Sequence, residues 1–408
     1  MTGPRVALIH DWLTGMRGGE RCLEALCELF PEADLFTLLH VKGSVSEAIE
    51  RRRIFTSAIQ AMPLAASRYR YYLPLFPWAV ERFALDDYDL ILSGSHCVAK
   101  GVRPPPHSLH IAYVYTPMRY IWDLHEAYVG PGRMGPLSRP LLRAIASRLR
   151  RWDIESNRRV HHFAAISHHV ADRIRRHYGR VAEVIYPPVE TARFYVTGRT
   201  DDYFLAGGAF APYKRIDLAI RAATRSGRRL VVVGDGQEGP RLRQMAGPTV
   251  EFVGRRPDDE VAVLLSRCRA LIFPGEEDFG ILPVEAMACG RPVIAYGKGG
   301  VTETVIPLNG SRFHDSHSGL EESSSQAPET GRSERGAPTG IFFHEQTVEA
   351  LMGAIQLYER SVDRFDPEAL RAHALTFDRS IFEKRIAAFV AERYEAWANE
   401  GRSRRPPC

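Results

Sequence analysis

Short apolar runs alternate with longer stretches of helical spacing along nearly the whole chain. Residues 6–9, 34–38, 89–92, 110–114 and 163–166 read as strands in the first half, and 203–206, 229–233, 250–253, 270–273 and 292–295 in the second. Strands that alternate with helices predict βαβ units and parallel sheets, an α/β class with two sheets. The break falls at Tyr186-Pro187-Pro188-Val189, because consecutive prolines exclude helix and cannot serve a central strand. A first domain is therefore expected over 1–187 and a second over 188–364. Within the second, residues 309–340 are rich in Ser, Glu and Gly and nearly without large apolar side chains, which predicts a disordered surface insertion. Residues 129–136 read as a turn-rich loop ahead of a basic helix. Residues 365–399 are helical again, and the last eight are expected to fray.

Composition makes this a globular chain of more than one domain. Its 408 residues exceed one ordinary core, and 45% are apolar and 25% charged. The net charge of +5 is a mild basic excess. It suits anionic substrates or an anionic membrane surface and is too small to point to a nucleic-acid partner. Cysteines at 22, 27, 97, 268, 289 and 408 form no Cys-x-x-Cys pair and read as small buried hydrophobes of a reducing compartment. The chain starts straight into its first strand without a leader-like run, and no window reaches about eighteen apolar residues, so a cytoplasmic location is expected.

Chemistry concentrates in Glu277-Asp278-Phe279-Gly280-Ile281-Leu282-Pro283-Val284-Glu285. An apolar run precedes it, and a helical run follows and stops at Gly290-Arg291-Pro292, so the pattern predicts strand, short loop, helix. Helix N-termini carry unpaired N–H groups and partial positive charge, which makes them anion sites. Gly280 would let the backbone approach a phosphate, Ile281 and Leu282 would present N–H groups, and Glu285 could accept from a sugar or ribose hydroxyl. Three more loops end strands on the same edge of a parallel sheet, where α/β proteins bind ligands. They are Gly207-Gly208 through Lys214-Arg215, Gly234-Asp235-Gly236 and Phe252-Val253-Gly254. A lysine just ahead of a helix reaches a diphosphate as a point charge. Such a set suits a nucleotide-diphosphate sugar.

The order of these motifs, closed by Ala286-x-Ala288-x-Gly290-x-Pro292, resembles the donor domain of family-4 retaining glycosyltransferases. The resemblance implies the GT-B fold: two Rossmann-like parallel-sheet domains facing across a cleft, with a C-terminal helical region, 365–408, returning to the first. It also implies metal-free chemistry, with no cofactor and the nucleotide sugar as substrate. His10 through Glu20 is similar to the family's N-terminal glycine loop. Residues 93–100 and 116–123 are similar to a bacterial mannosyltransferase subgroup. That subgroup implies GDP-mannose as donor and a lipid-linked or saccharide acceptor in cell-surface polysaccharide assembly.

Carried over by position, Glu277 contacts the donor sugar and Lys214 neutralises the diphosphate leaving group, the two acting as the catalytic pair. Gly18, Gly19, Gly208, Arg215, Gly234, Gly254, Phe279, Gly280, Ile281, Leu282 and Glu285 are then expected around the donor, with Glu285 on the ribose. His10, Tyr115 and Arg119 become candidates on the acceptor or sugar side. Two departures stand out: Ala209 replaces an arginine common after the first donor-loop glycine, and Tyr115 replaces a histidine ahead of Thr116-Pro117. They leave open a non-catalytic relative that binds a nucleotide sugar as sensor or scaffold. A nucleotide-sugar dehydrogenase or epimerase would need Gly-x-Gly-x-x-Gly after the first strand, and Gly15-Met16-Arg17-Gly18-Gly19 lacks that spacing.

Other clusters read as structural. His161, His162, His168 and His169 flank a strand and do not converge like metal ligands. Asp87-Tyr88-Asp89 leads directly into a strand. Two stretches suit peripheral contact with the cytoplasmic face of a membrane: 139–152, where leucines and Trp152 recur at helical spacing among arginines, and 51–83, where arginines interleave with Tyr69, Tyr71, Tyr72, Phe76 and Trp78.

Overall fold

The computed structural model describes residues 3–122, 138–308 and 336–403. Residues 129–136 and most of the expected insertion, 309–335, lie outside the described residues.

The chain forms two compact units, 1–188 with 379–408 and 189–378. The first is built on β1 (Val6–His10), β2 (Asp34–Thr37), β3 (Ile54–Thr56), β4 (Leu90–Ser95), β5 (Leu109–Val114), β6 (His162–Ala165) and β7 (Ala182–Val184), in the spatial order β3-β2-β1-β4-β5-β6-β7. Every pair is parallel, with Leu8 opposite Leu35 on one side and Leu92 on the other. The second unit has β8 (Phe204–Ala209), β9 (Leu230–Asp235), β10 (Val250–Gly254), β11 (Leu271–Phe273), β12 (Val293–Tyr296) and β13 (Gly340–Phe343), in the order β10-β9-β8-β11-β12-β13, again all parallel. The central strands β1, β4, β5 and β12 are buried along their whole length. A sheet covered on both faces calls for continuous Val, Ile and Leu rather than alternation.

Local chemistry sets the helix limits. Ser167 accepts from the Val170 N–H at the start of the helix His168–Tyr178, and Gly179, with φ 63°, ends it. Thr347 caps Val348–Arg360 through the Ala350 N–H. Asp366 accepts from the Glu368 N–H, with Pro367 in the first turn of Pro367–Ala374. Each such cap is worth about 1 kcal/mol.

As expected, the C-terminal helix Arg379–Ser403 belongs with the first unit. It buries Phe382, Ile386 and Phe389 there, and Phe382 lies 5.6 Å from the Tyr113 ring. The returning segment is shorter than the expected 365–408. Residues 365–378 stay with the second unit because Pro367–Ala374 packs on the helix Ile281–Ala288, where the Arg371 guanidinium donates to the Phe194 and Ala288 carbonyls at 2.5 and 2.8 Å. The far end of the expected insertion is also ordered structure. Thr339 is buried and its hydroxyl accepts from the Ile306 N–H at 2.8 Å, and Gly340 opens β13.

Candidate functional site

In each sheet the sequence order of the strands reverses once, and ligands of open α/β sheets bind beyond the strand ends at such a point. In the second unit the reversal lies between β8 and β11. The loop after β8 carries Lys214 and the loop after β11 carries Glu277. There the Lys214 ammonium donates to both carboxylate oxygens of Glu277, at 2.7 and 2.8 Å. Their side chains are 15% and 17% exposed, so the pair is shielded yet reachable from solvent. The main chain of Glu277 is itself held, its carbonyl accepting the Gly300 N–H at 2.8 Å.

The neighbouring loops are close-packed. Gly208 and Gly234 face each other across β8 and β9. Gly234 has φ +126°, and a Cβ added there would lie 2.0 Å from the Gly208 carbonyl oxygen, so only glycine fits. Gly280, at φ +91°, caps the helix Ile281–Ala288 and turns the chain so that the N–H groups of Ile281 and Leu282 open the helix. Glu285 stands one turn on, half-buried, and Gly254 ends β10 in a left-handed turn.

Two residues expected at the donor have partners within the fold. Phe279 is buried with its ring 5.9 Å from Phe377, so its side chain anchors the loop from below. The Arg215 guanidinium is taken by Asp217 at 3.1 and 3.3 Å and by Gln346 at 3.3 Å, and Gln346 in turn donates to the Pro274 carbonyl at 2.9 Å. Arg215 thus ties the loops after β8, β11 and β13 together. Ala209 is exposed at the end of β8 and supplies no charge.

In the first unit the reversal lies between β1 and β4. The helix Gly18–Leu29 begins at Gly18. His10, ending β1, is buried with its Nε2 3.6 Å from Glu20, and neither ring nitrogen has a hydrogen-bond partner. Burial pushes the Glu20 carboxyl up, but His10 and His96 more than offset this and hold it below the usual range. The Tyr115 hydroxyl donates to the Gly19 carbonyl at 3.1 Å, so its proton is committed to the glycine loop. Arg119 opens the short helix Arg119–Trp122 and is half-buried.

A further residue of this crevice escaped the sequence reading. Asp11, fully buried, accepts four backbone N–H groups, from His96 (2.7 Å), Cys97 (2.9 Å), Val98 (2.6 Å) and Ala99 (2.8 Å). It locks the loop after β4 to the end of β1. An acid directly behind an apolar strand was the available signal, but only the pairing of β1 with β4 shows what it binds.

The remaining titratable clusters have internal partners. His161 Nδ1 accepts from the His110 N–H, and Asp89 accepts from the Arg5 N–H. The five described cysteines are buried, and burial pushes their thiols up, Cys27 to about 12, so none offers a thiolate nucleophile at neutral pH. A cavity of about 400 Å³ lined by His168, Asp172, Arg175, Glu183, Tyr186 and Arg385 lies at the β7 edge, away from both reversal points, and its Arg175 pairs with Asp172.

Residues 191–317 match the family described as Glycosyl transferases group 1. That range holds Lys214, Glu277 and every donor-loop glycine of the second unit. An uncharacterized glycosyltransferase of Methanocaldococcus jannaschii is 32% identical over 146 residues, 35% of this chain and 41% of that protein. The O-antigen chain mannosyltransferase RfbU of Salmonella typhimurium is 33% identical over 151 residues, 34% of this chain and 43% of that protein. A GDP-mannose-dependent alpha-mannosyltransferase of Mycobacterium tuberculosis is 39% identical over 101 residues, 24% and 26% of the two chains. The chain thus spans less than half the length of these curated relatives. Among solved structures, Anabaena HepE in complex with UDP superposes with a TM-score of 0.66 over 95% of this chain and 100% of its own, at 16% identity. WaaG, a glycosyltransferase involved in lipopolysaccharide biosynthesis, does so with 0.60 over 94% and 99%, at 15% identity. At these identities the likeness establishes the fold, which is GT-B.

Proposed function

We propose that this chain is a family-4-like retaining hexosyltransferase that moves mannose from GDP-mannose to a lipid-linked or saccharide acceptor. The observation that carries the reading is the Lys214–Glu277 pair at the β8/β11 reversal, flanked by Gly208, Gly234 and the helix that Gly280 opens. Breaking a bond between an anomeric carbon and a diphosphate oxygen builds positive charge on the sugar and negative charge on the leaving group. A fixed ammonium and helix N–H groups at the diphosphate stabilise that separation without reorganising. In this reading the donor diphosphate draws Lys214 to itself, and Glu277, so released, accepts hydrogen bonds from the sugar hydroxyls. The acceptor oxygen bonds the anomeric carbon on the face the diphosphate leaves, and its proton departs with the diphosphate. Mannose as the sugar, and a glycan acceptor, rest on the RfbU and mycobacterial relatives. Nucleotide-sugar use is in keeping with UDP bound to HepE.

The test is donor turnover, read as nucleoside diphosphate released in the presence of a glycan-lipid extract. Glu277→Ala is expected to lower it by roughly a hundredfold or more with an unchanged melting temperature. Full turnover in that variant refutes the site.

A further inference from the structure

The two basic, aromatic stretches behave differently once folded. The helix Ser138–Ser156 turns its apolar side inward: Leu149 is buried, the Trp152 indole donates to Glu81 at 2.7 Å, and Arg150 donates to the Ile121 carbonyl. Its apolar side is thus used within the first unit, and Arg143, Arg148 and Arg151 face solvent.

The run of helical turns Ala65–Arg68, Tyr69–Leu75 and Phe76–Val80 does the opposite. It is anchored by Ala65, Tyr69, Phe76 and Ala79, all buried. A second stripe, Leu64, Arg68, Tyr71, Leu75, Trp78 and Arg82, recurs at spacings of four and three and stays in solvent. Leu64 is 62% exposed, Tyr71 79%, Leu75 39% and Trp78 44%, and the Arg82 guanidinium lies 4.4 Å over the Trp78 ring. Leu64 also holds a left-handed φ of 54° that leucine adopts at a cost. No acid lies between Arg51 and Val80. The following Glu81 is neutralised by Arg103 and Arg159 at 2.7 and 2.8 Å.

We propose that this stripe docks the protein on an anionic lipid bilayer. Indole and phenol rings sit at the headgroup level of a membrane, and leucines reach the acyl boundary beneath. Guanidiniums at the edges of the stripe meet the negative surface. A protein partner of ordinary charge would leave Arg68, Arg70 and Arg82 without counterions, whereas an anionic headgroup layer supplies them everywhere. This inference is independent of the sugar-transfer reading, since it asks only for a surface.

Co-sedimentation with vesicles tests it, using equimolar phosphatidylglycerol and phosphatidylcholine against phosphatidylcholine alone. The full chain is expected to pellet with the anionic vesicles and to stay in solution with the neutral ones. Tyr71→Ser, Leu75→Ser and Trp78→Ser together should abolish pelleting while the melting temperature holds. Each of Arg68→Gln and Arg70→Gln should weaken binding about fivefold. Equal pelleting of the triple variant and the unaltered chain overturns the proposal, as does equal binding to neutral vesicles. So does a dimer in solution that the triple variant dissolves, since a second copy would then be the occupant.

Discussion

Lys214 and Glu277 lie 63 positions apart and meet because β8 and β11 are neighbours, so their following loops open on one edge. The motif order named both residues and the parallel strands put their loops on one edge, but the ion pair between them was not legible, since each was expected on a different part of the donor. The internal partners of Arg215 and Phe279 were not legible. Nothing in a sequence says that a guanidinium next to the key lysine is engaged by Asp217 and Gln346, or that a phenylalanine in a binding loop points into the core. Asp11 is the sharpest case. A carboxylate receiving four N–H groups is a charge solvated by backbone, and Asp11→Asn removes the charge and puts an amide N–H₂ against those donors. The exchange is expected to cost roughly 3 kcal/mol, read as a lower urea midpoint with an unchanged slope.

Strands were read well where burial is complete and poorly at the edges. β1, β4 and β5 are buried along their whole length and mostly apolar, as strands of a covered parallel sheet are, and such runs are what an apolar pattern finds. β3 and β7 were missed: each is three residues long, half-exposed and at a sheet edge, so neither carries much apolar signal. β5 also carries an element-level prediction through His110. Its Nδ1–H donates to the Arg159 carbonyl at 3.1 Å, which leaves the Nε2 of the neutral ring to accept from the Ser93 hydroxyl at 2.9 Å. Burial pulls its pKa down to about 3. Between that value and the unfolded value of about 6.5, the unfolded chain binds a proton that the folded chain refuses, so stability rises with pH in this window. Burial also lowers His96, His161 and His162, which adds in the same sense. Unfolding free energies from urea titration should fall as the pH drops from about 6.5 to 5, with a slope that approaches about 1.4 kcal/mol per pH unit for each fully buried histidine. A midpoint that is flat over this range contradicts the burial of His110 as a neutral ring.

At the scale of the whole chain, the two sheets, their strand order and the C-terminal helix packed on the first unit form the GT-B plan that the motif order implied. The first unit's main segment ends at Pro188, the second of two prolines through which neither helix nor central strand can continue. The second crossing was harder to place, because 365–378 and 379–399 are both helical and only their packing partners differ. Among the described residues no helix is long and apolar enough to cross a membrane, and the exposed stripe from Leu64 to Arg82 is the surface proposed above to meet a bilayer. The proposed sugar transfer requires a sugar-nucleotide diphosphate docked against Lys214. Calorimetric titration of GDP-mannose, UDP-glucose and an ADP-sugar into the unaltered chain and into Lys214→Ala tests this most directly. One nucleotide sugar should bind the unaltered chain, and its affinity should fall about tenfold or more in the variant, as loss of a charged hydrogen bond requires. Equal affinity in both proteins, or no binding by any of the three, would contradict it.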